Sequence, residues 1–504
     1  MNRSQRIDAL GRKLREAVLT PGDPRMGRTT DAFLRGMGGI YLIAFLSLWY
    51  QIDGLIGSQG ILPAAAWAEW VRQTIPHAAY LKAPTLILLD GSDAFLHLLC
   101  AAGAMGAVLL LFGIFPMISA ALCWGLYLSL VLGGQLFLSY QWDQLLLEAG
   151  FLTIFLSPAG VRSSSHHARH PNRWFIWLAR WLVFRLMFAS GFVKLTSGDP
   201  TWTGLTALTY HYFTQPIPTW TAWAMNQLPP FLHQISAALV LLIELVLPFF
   251  IFGSRRCRLI AFGGISGLQI LILLTGNFGF FNLLSLVLCL LLLEDDLLFP
   301  PLNRPEAPVA LALPRWSLAL HAPIAILLLV LSLQGFTRQI MPGLSWPEPV
   351  QTVSRAMAPF RITATYGLFA VMTTARPEIE IEGSQDGEVW VAYPFKWKAG
   401  PVGKRPRFAT PYMPRLDWQL WFAALGPPER NVWLFMMMSR LGEGSPAVLA
   451  LLEDNPFPES PPRYLRAIRY DYTFSDFETL RTTGAWWQRE RIGPYGPILE
   501  PAKP

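Results

Sequence analysis

The chain has 504 residues, of which 53% are hydrophobic and only 14% charged, and its formal net charge is +7. Soluble domains carry about 25% charged residues, so much of this surface faces something other than water. The basic residues gather beside hydrophobic runs, which explains the charge without nucleic acid, and no nucleic-acid partner is expected.

Residues 1–30 lack the apolar stretch of a cleavable signal peptide. In "IDALGRKLREAV", Ile7, Leu10, Leu14 and Val18 share one helical face, with Arg12, Lys13 and Arg15 elsewhere. That pattern predicts a basic amphipathic segment lying on an anionic cytoplasmic surface. Nine apolar segments follow, at roughly 33–51, 94–113, 116–137, 142–159, 174–196, 232–253, 258–276, 278–298 and 317–336. Spanning helices need about 20 such residues. The fourth segment is short and polar enough for a re-entrant or half-buried helix. A Pro-rich linker, "PPLNRPEAPVALALP", separates the last two. Basic clusters precede the first segment and recur in "RSSSHHARHPNR" and "RRCR". With nine spans and the amino terminus inside, all three fall on the cytoplasmic side.

Everything after residue 340 is then exported. There Glu378–Glu382 and Val389–Phe395 alternate around "GSQDG", which reads as a hairpin. "RLDWQLWFAALG" and "NVWLFMMMSRLG" read as helices, and "RAIRYDYTFSD" as a strand. The predicted architecture is a polytopic α-helical membrane protein of about nine spans with a β-rich exported domain. Its divisions are 1–30, a transmembrane domain over 31–340, and 341–504. Cys100, Cys123, Cys257 and Cys289 all lie in apolar runs, so neither a disulfide framework nor a CxxC redox pair is present.

The candidate functional groups sit inside the apolar segments. In "QWDQLLLEAGFL", Gln141, Gln144 and Glu148 form one stripe at i, i+3 and i+7. An ionised carboxylate in lipid costs about 3 kcal/mol or more unless it faces a partner or a wet cavity. At 1.5 Å rise per residue, Glu148 and Arg185 reach similar depths from opposite faces, and Glu244 comes to mid-membrane. A buried cluster of Glu148, Arg185 and Glu244 is permitted, as an ion-pair clamp or as the polar floor of a pocket. Lys194 stands near the outer end of its span. It either snorkels or lines a pocket with Asp199, Trp202, Tyr210 and His211, where a desolvated lysine acts as a base. "HHARH" offers His166, His167 and His170 without a nearby carboxylate, so no metal site is expected. No Gly-rich phosphate loop or GxSxG elbow is present, and no cofactor is called for. The basic run "KWKAGPVGKRPR" reads as a solvated or headgroup-contacting loop.

Together "QWDQLLLEAGFL", "KLTSGDPTWTGLTALTYHY", "TQPIP", "YGLFAVMTTARPEIEIEGSQDG", "PRLDWQLWFAALG", "NPFPESPPRYLRAIRYDYTF" and "GAWWQRERIGPYGP" resemble the lipase maturation factor family. The resemblance implies a membrane protein that assists folding and assembly of secreted proteins, lipases among them, in partnership with membrane lipids. In eukaryotic relatives it implies the endoplasmic reticulum. Short loops and the lack of a retention tail point to a bacterial-type member, in the inner membrane with a periplasmic carboxy-terminal domain. Phe213 stands where relatives carry an acidic residue, and Tyr412 or Met413 where they often carry histidine. "GFVKL" with Trp202 and Gly204 also resembles the helical domain of vitamin K-dependent γ-glutamyl carboxylases. That likeness implies an alternative, a membrane enzyme using Lys194 as base on a lipid or quinone-like substrate. Asp199 and His211 would tune the lysine, and Trp202 would wall a flat ligand. The non-enzymatic reading is favoured.

Overall fold

The computed structural model describes residues 22–23, 25–162, 171–299 and 315–500. Most of the amphipathic amino-terminal segment, the linker at 300–314 and His166, His167 and His170 lie outside the described residues. Nine helices follow the apolar segments: α1 Gly27–Trp49, α2 Asp93–Leu111, α3 Pro116–Gly133, α4 Gln141–Leu156, α5 Arg173–Thr196, α6 Pro230–Leu245, α7 Arg255–Thr275, α8 Phe281–Cys289 and α9 Arg315–Ile340. Side-chain oxygens cap several starts, with Asn172 accepting from Trp174 N at 3.0 Å and Ser92 from Phe95 N at 3.3 Å. Pro116 and Pro230 open α3 and α6, where their missing N–H costs nothing.

Seven helices among the described residues are long and apolar enough to cross a membrane, with α6 counted as Pro230–Phe250. The other two are shorter: α4 has 16 residues and α8 has 9. Helix α4 packs against α1, α3, α5 and α8, so protein rather than lipid surrounds its two carboxylates.

One end of the bundle collects charge. Asp295 accepts from Thr29 N at 2.8 Å and Arg28 N at 3.1 Å at the start of α1. Arg258 and Arg255, opening α7, reach Glu294 at 2.5 Å and Asp296 at 2.9 Å.

The opposite end carries the carboxy-terminal region. Its sheet has the order β2-β1-β3-β4, all neighbours antiparallel, from β1 Pro377–Ser384, β2 Val391–Ala392, β3 Tyr464–Phe474 and β4 Trp487–Pro494. Helices α10 Glu348–Met357, α11 Arg415–Ala424 and α12 Val432–Gly442 accompany it, and α11 packs on β1. The region is therefore as helical as it is stranded, where the sequence reading expected a β-rich domain. The hairpin forms with Glu382 opposite Ala392, but β2 covers two residues of the expected 389–395. Pro394 has no N–H for a ladder, and Phe395 bridges to Leu452 instead.

Candidate functional site

Glu148 and Arg185, each 3% exposed, pair between α4 and α5. The second Glu148 oxygen accepts from Tyr366 Oη at 2.7 Å and from Ala364 N at 2.9 Å. Arg185 in turn donates to Ala364 O at 2.9 Å. A buried carboxylate and a buried guanidinium thus share their bonds with one loop of the carboxy-terminal region. Burial first, and then the Glu148 carboxylate, push the Tyr366 phenol well above its ordinary pKa. The hydroxyl therefore stays a donor.

Glu244 does not join that pair, contrary to the permitted three-residue cluster. Lys194, on the same helix as Arg185 but nine positions on, takes it instead. Its Nζ lies 2.7 and 2.9 Å from the two Glu244 oxygens and 3.4 Å from Ser190 O. Gly191 permits this approach, since a Cβ there would stand 2.8 Å from Glu244 Cβ. The ammonium also sits 5.2 Å from the Trp202 ring centroid. Lys194 is 3% exposed, so it does not snorkel. All three ammonium donors have acceptors, and a role as base would first require breaking the ion pair.

A partly open cavity of about 530 Å³ borders this pair, between the bundle and α11. Aromatic side chains dominate its wall, among them Trp142, Phe281, Phe369, Trp418 and Phe422. Asp199, Trp202, Tyr210 and His211 do not line it. Asp199 caps the next helical turn, accepting from Thr201 N at 2.8 Å, and its other oxygen accepts from Met372 N at 2.5 Å. The Trp202 indole donates to Phe369 O at 2.9 Å. Tyr210 packs beside Phe213, their ring centroids 6.5 Å apart. His211 lies edge-on to Phe369 at 5.0 Å. Burial, and then the Lys194 charge, push its imidazole down to about 4, so it is neutral at pH 7. Lys194, Glu244 and Trp202 therefore come together, while Asp199, Tyr210 and His211 serve the packing around them.

Two further nodes escaped the sequence reading. Asp143 binds Arg415 through both oxygens, at 2.8 and 3.0 Å, and accepts from Tyr127 Oη at 2.5 Å. Arg415 also donates to Phe137 O at 2.8 Å. The second node is Arg376, which donates to the backbone oxygens of Phe213, Gln215 and Pro216 and to Glu378 at 2.6 Å. Asp143 in an apolar run was the available signal for the first. Nothing local named its partner, 272 residues away. The bond to Phe213 uses its carbonyl, so the unusual side chain there leaves this clamp intact.

Nearby polar contacts complete the junction. Gln51 donates to Met413 O at 2.8 Å and accepts from Arg415 N at 3.0 Å. Asn277, between α7 and α8, accepts from Ala409 N at 2.7 Å, and the Trp418 indole donates to Asn277 O at 3.1 Å. Met413, one of the two positions (with Tyr412) where relatives often carry histidine, is thus held through its backbone by Gln51 and Ser47. Among the described residues no group of acidic, histidine and cysteine side chains is arranged to hold a metal ion.

The comparisons with known proteins cover nearly the whole chain. The model described as lipase maturation factor transmembrane domain matches residues 28–299, and the lipase maturation factor C-terminal domain matches 362–497. Lipase maturation factor 2 of Rattus norvegicus is 35% identical, over 94% of this chain and 83% of its own. Lipase maturation factor 2 of Homo sapiens is 34% identical, over 94% and 82%. Lipase maturation factor 1 of Mus musculus is 34% identical, over 94% and 87%. No solved structure matches. None of these matches is a carboxylase, and the carboxylase-like alternative gains no support. With its apolar helices and the transmembrane model, the chain is an integral membrane protein. It belongs to the lipase maturation factor family.

Proposed function

We propose that this protein is a membrane-anchored maturation factor that assists folding or assembly of a secreted client, a lipase being the first candidate. In this reading the helical bundle spans the membrane nine times with its charged end cytoplasmic. The carboxy-terminal region is exported, into the periplasm if the protein resides in a bacterial inner membrane. Lys194, Glu244, Glu148 and Arg185 act as structural clamps, and no catalytic step is assigned to them.

The observation that supports this most is how the carboxy-terminal region is held. Buried polar nodes root it in the bundle, while its surface exposes Val389, Val391 and Ile492. The sheet ends on β4, whose outer edge pairs with no strand among the described residues. An open edge beside apolar side chains suits a partly folded chain, through strand addition or apolar contact. The test is a photo-crosslinker at Val391 or Ile492 in the full-length protein in living cells. Adducts with exported proteins are expected. Crosslinks to no exported protein above a control placed at the charged end of the bundle would overturn the reading.

A further inference from the structure

A second cavity, of about 370 Å³, lies where α9, α10 and the segment 357–365 meet α4. It adjoins the Lys194 cavity at Ser139 but differs from it in chemistry. Arg338 from the last turn of α9 and Arg361 from the segment after α10 both line it, and no acidic residue does. The carboxylates on the lining helices are engaged elsewhere, Glu348 by Arg355 at 2.5 Å, Glu148 by Arg185 and Asp143 by Arg415. Among the described residues, neither Arg338 nor Arg361 has a carboxylate partner.

The remaining wall also offers donors. Gln334 is 1% exposed, and its Nε2 has no hydrogen-bond partner. A buried amide N–H left unpaired costs free energy unless something accepts from it. Gln144, Ser354 and Thr363 add further polar groups. Gln144 belongs to the stripe that includes Glu148, and the ion pair leaves it unexplained. Arg361 itself has φ +54°, a left-handed conformation that non-glycine residues rarely adopt. The strained residue is one of the two free cations.

Two unpaired guanidiniums and an unsatisfied amide donor call for an anion rich in acceptor oxygens. Guanidinium groups match phosphate with paired hydrogen bonds. The place narrows the choice further. Arg338 lies at the end of the apolar stretch Leu320–Ile340, where a spanning helix meets the headgroup layer. We propose that this pocket binds a phosphate ester group through Arg338, Arg361 and Gln334. The phosphate belongs either to an anionic phospholipid headgroup or to a soluble phosphate ester. This site is independent of the maturation-factor reading and stands or falls without it.

The test uses the full-length protein purified in neutral detergent. Dioleoylphosphatidylglycerol, sn-glycerol 3-phosphate and the phosphate-free dioleoylglycerol are titrated, with affinity read by native mass spectrometry and by Tm shift. Either phosphate probe is expected to bind and to weaken roughly tenfold or more in the R338Q/R361Q variant. Added salt should weaken it as well. Dioleoylglycerol should be unaffected by the substitutions. Phosphatidylglycerol dependence alone identifies the lipid source, and glycerol phosphate dependence alone the soluble one. Both arginines are exposed, so the ligand-free variant should keep its Tm. If it does not fold, R338Q alone carries the same comparison. Failure of both phosphate probes to bind, or equal binding by parent and variant, overturns the proposal.

Discussion

Glu148 accepts from α5 and from the 364–366 loop, so its carboxylate ties two parts of the molecule through one side chain. Removing one member of a buried pair costs about 3–5 kcal/mol, because the remaining charge is stranded. Glu148→Gln is therefore expected to lower Tm strongly in detergent. Arg185→Met added to it should recover part of the loss, and fully additive losses would argue against the pair. The same logic changes the expectation for Lys194. A snorkelling lysine would be dispensable, but this one is the counter-charge of Glu244. Lys194→Met should destabilise by a similar few kcal/mol, and Glu244→Gln in that background should restore stability. Recovery of stability without Lys194 would also separate a clamp from a base. Arg185 and Lys194 are about 13 Å apart along their helix axis, which is why a single three-residue cluster does not form.

Close helix contacts make a second class of demand. A Cβ added to Gly38 in α1 would stand 2.4 Å from Leu111 N and 3.0 Å from Ala107 O, both backbone atoms of α2. A backbone cannot rotate out of the way, so α1 and α2 would have to part. At the adjacent Gly39 an added Cβ meets nothing within 4 Å. Gly38→Ala should cost about 1–3 kcal/mol as an overpacking change, whereas Gly39→Ala should be neutral or slightly stabilising, by thermal unfolding in detergent. This pair of glycines looks alike in the sequence, since burial against a partner backbone leaves no local mark. The helices themselves were legible because apolar runs and caps are local. So was the "GSQDG" turn, where Asp386 accepts from Glu388 N and Val389 N at 2.8 and 2.9 Å and Gly387 takes φ +83°. Strand β4 was not legible. Its Gln488–Arg491 run is charged on both faces, as suits an edge strand, and lacks the alternation that marks a half-buried one.

The molecule is held as one body by charges that cross from bundle to carboxy-terminal region. Asp143 and Arg415 illustrate what pattern reading misses: each is unremarkable on its own helix, and the pairing exists only in three dimensions. Arg415 is 1% exposed and Asp143 fully buried. Burial is the largest single influence and works against the guanidinium, but Asp143 together with Tyr127 and Tyr140 holds Arg415 above its ordinary pKa. Arg415→Met would strand Asp143, remove a donor from Phe137 O and Tyr127 Oη, and loosen α11 from the bundle. The helix contacts within the bundle do not involve Arg415, so the expected result is undocking more than global unfolding. Limited proteolysis should then cut the Arg415→Met protein within 341–347, ahead of α10, faster than the parent at equal protease. Asp143→Leu combined with Arg415→Met removes both charges and should slow the cleavage again. Equal cleavage of parent and single variant would show that aromatic packing around Trp418 holds the junction without the ion pair. Cleavage accelerated equally in single and double variants would assign the effect to lost hydrogen bonds instead of a stranded charge.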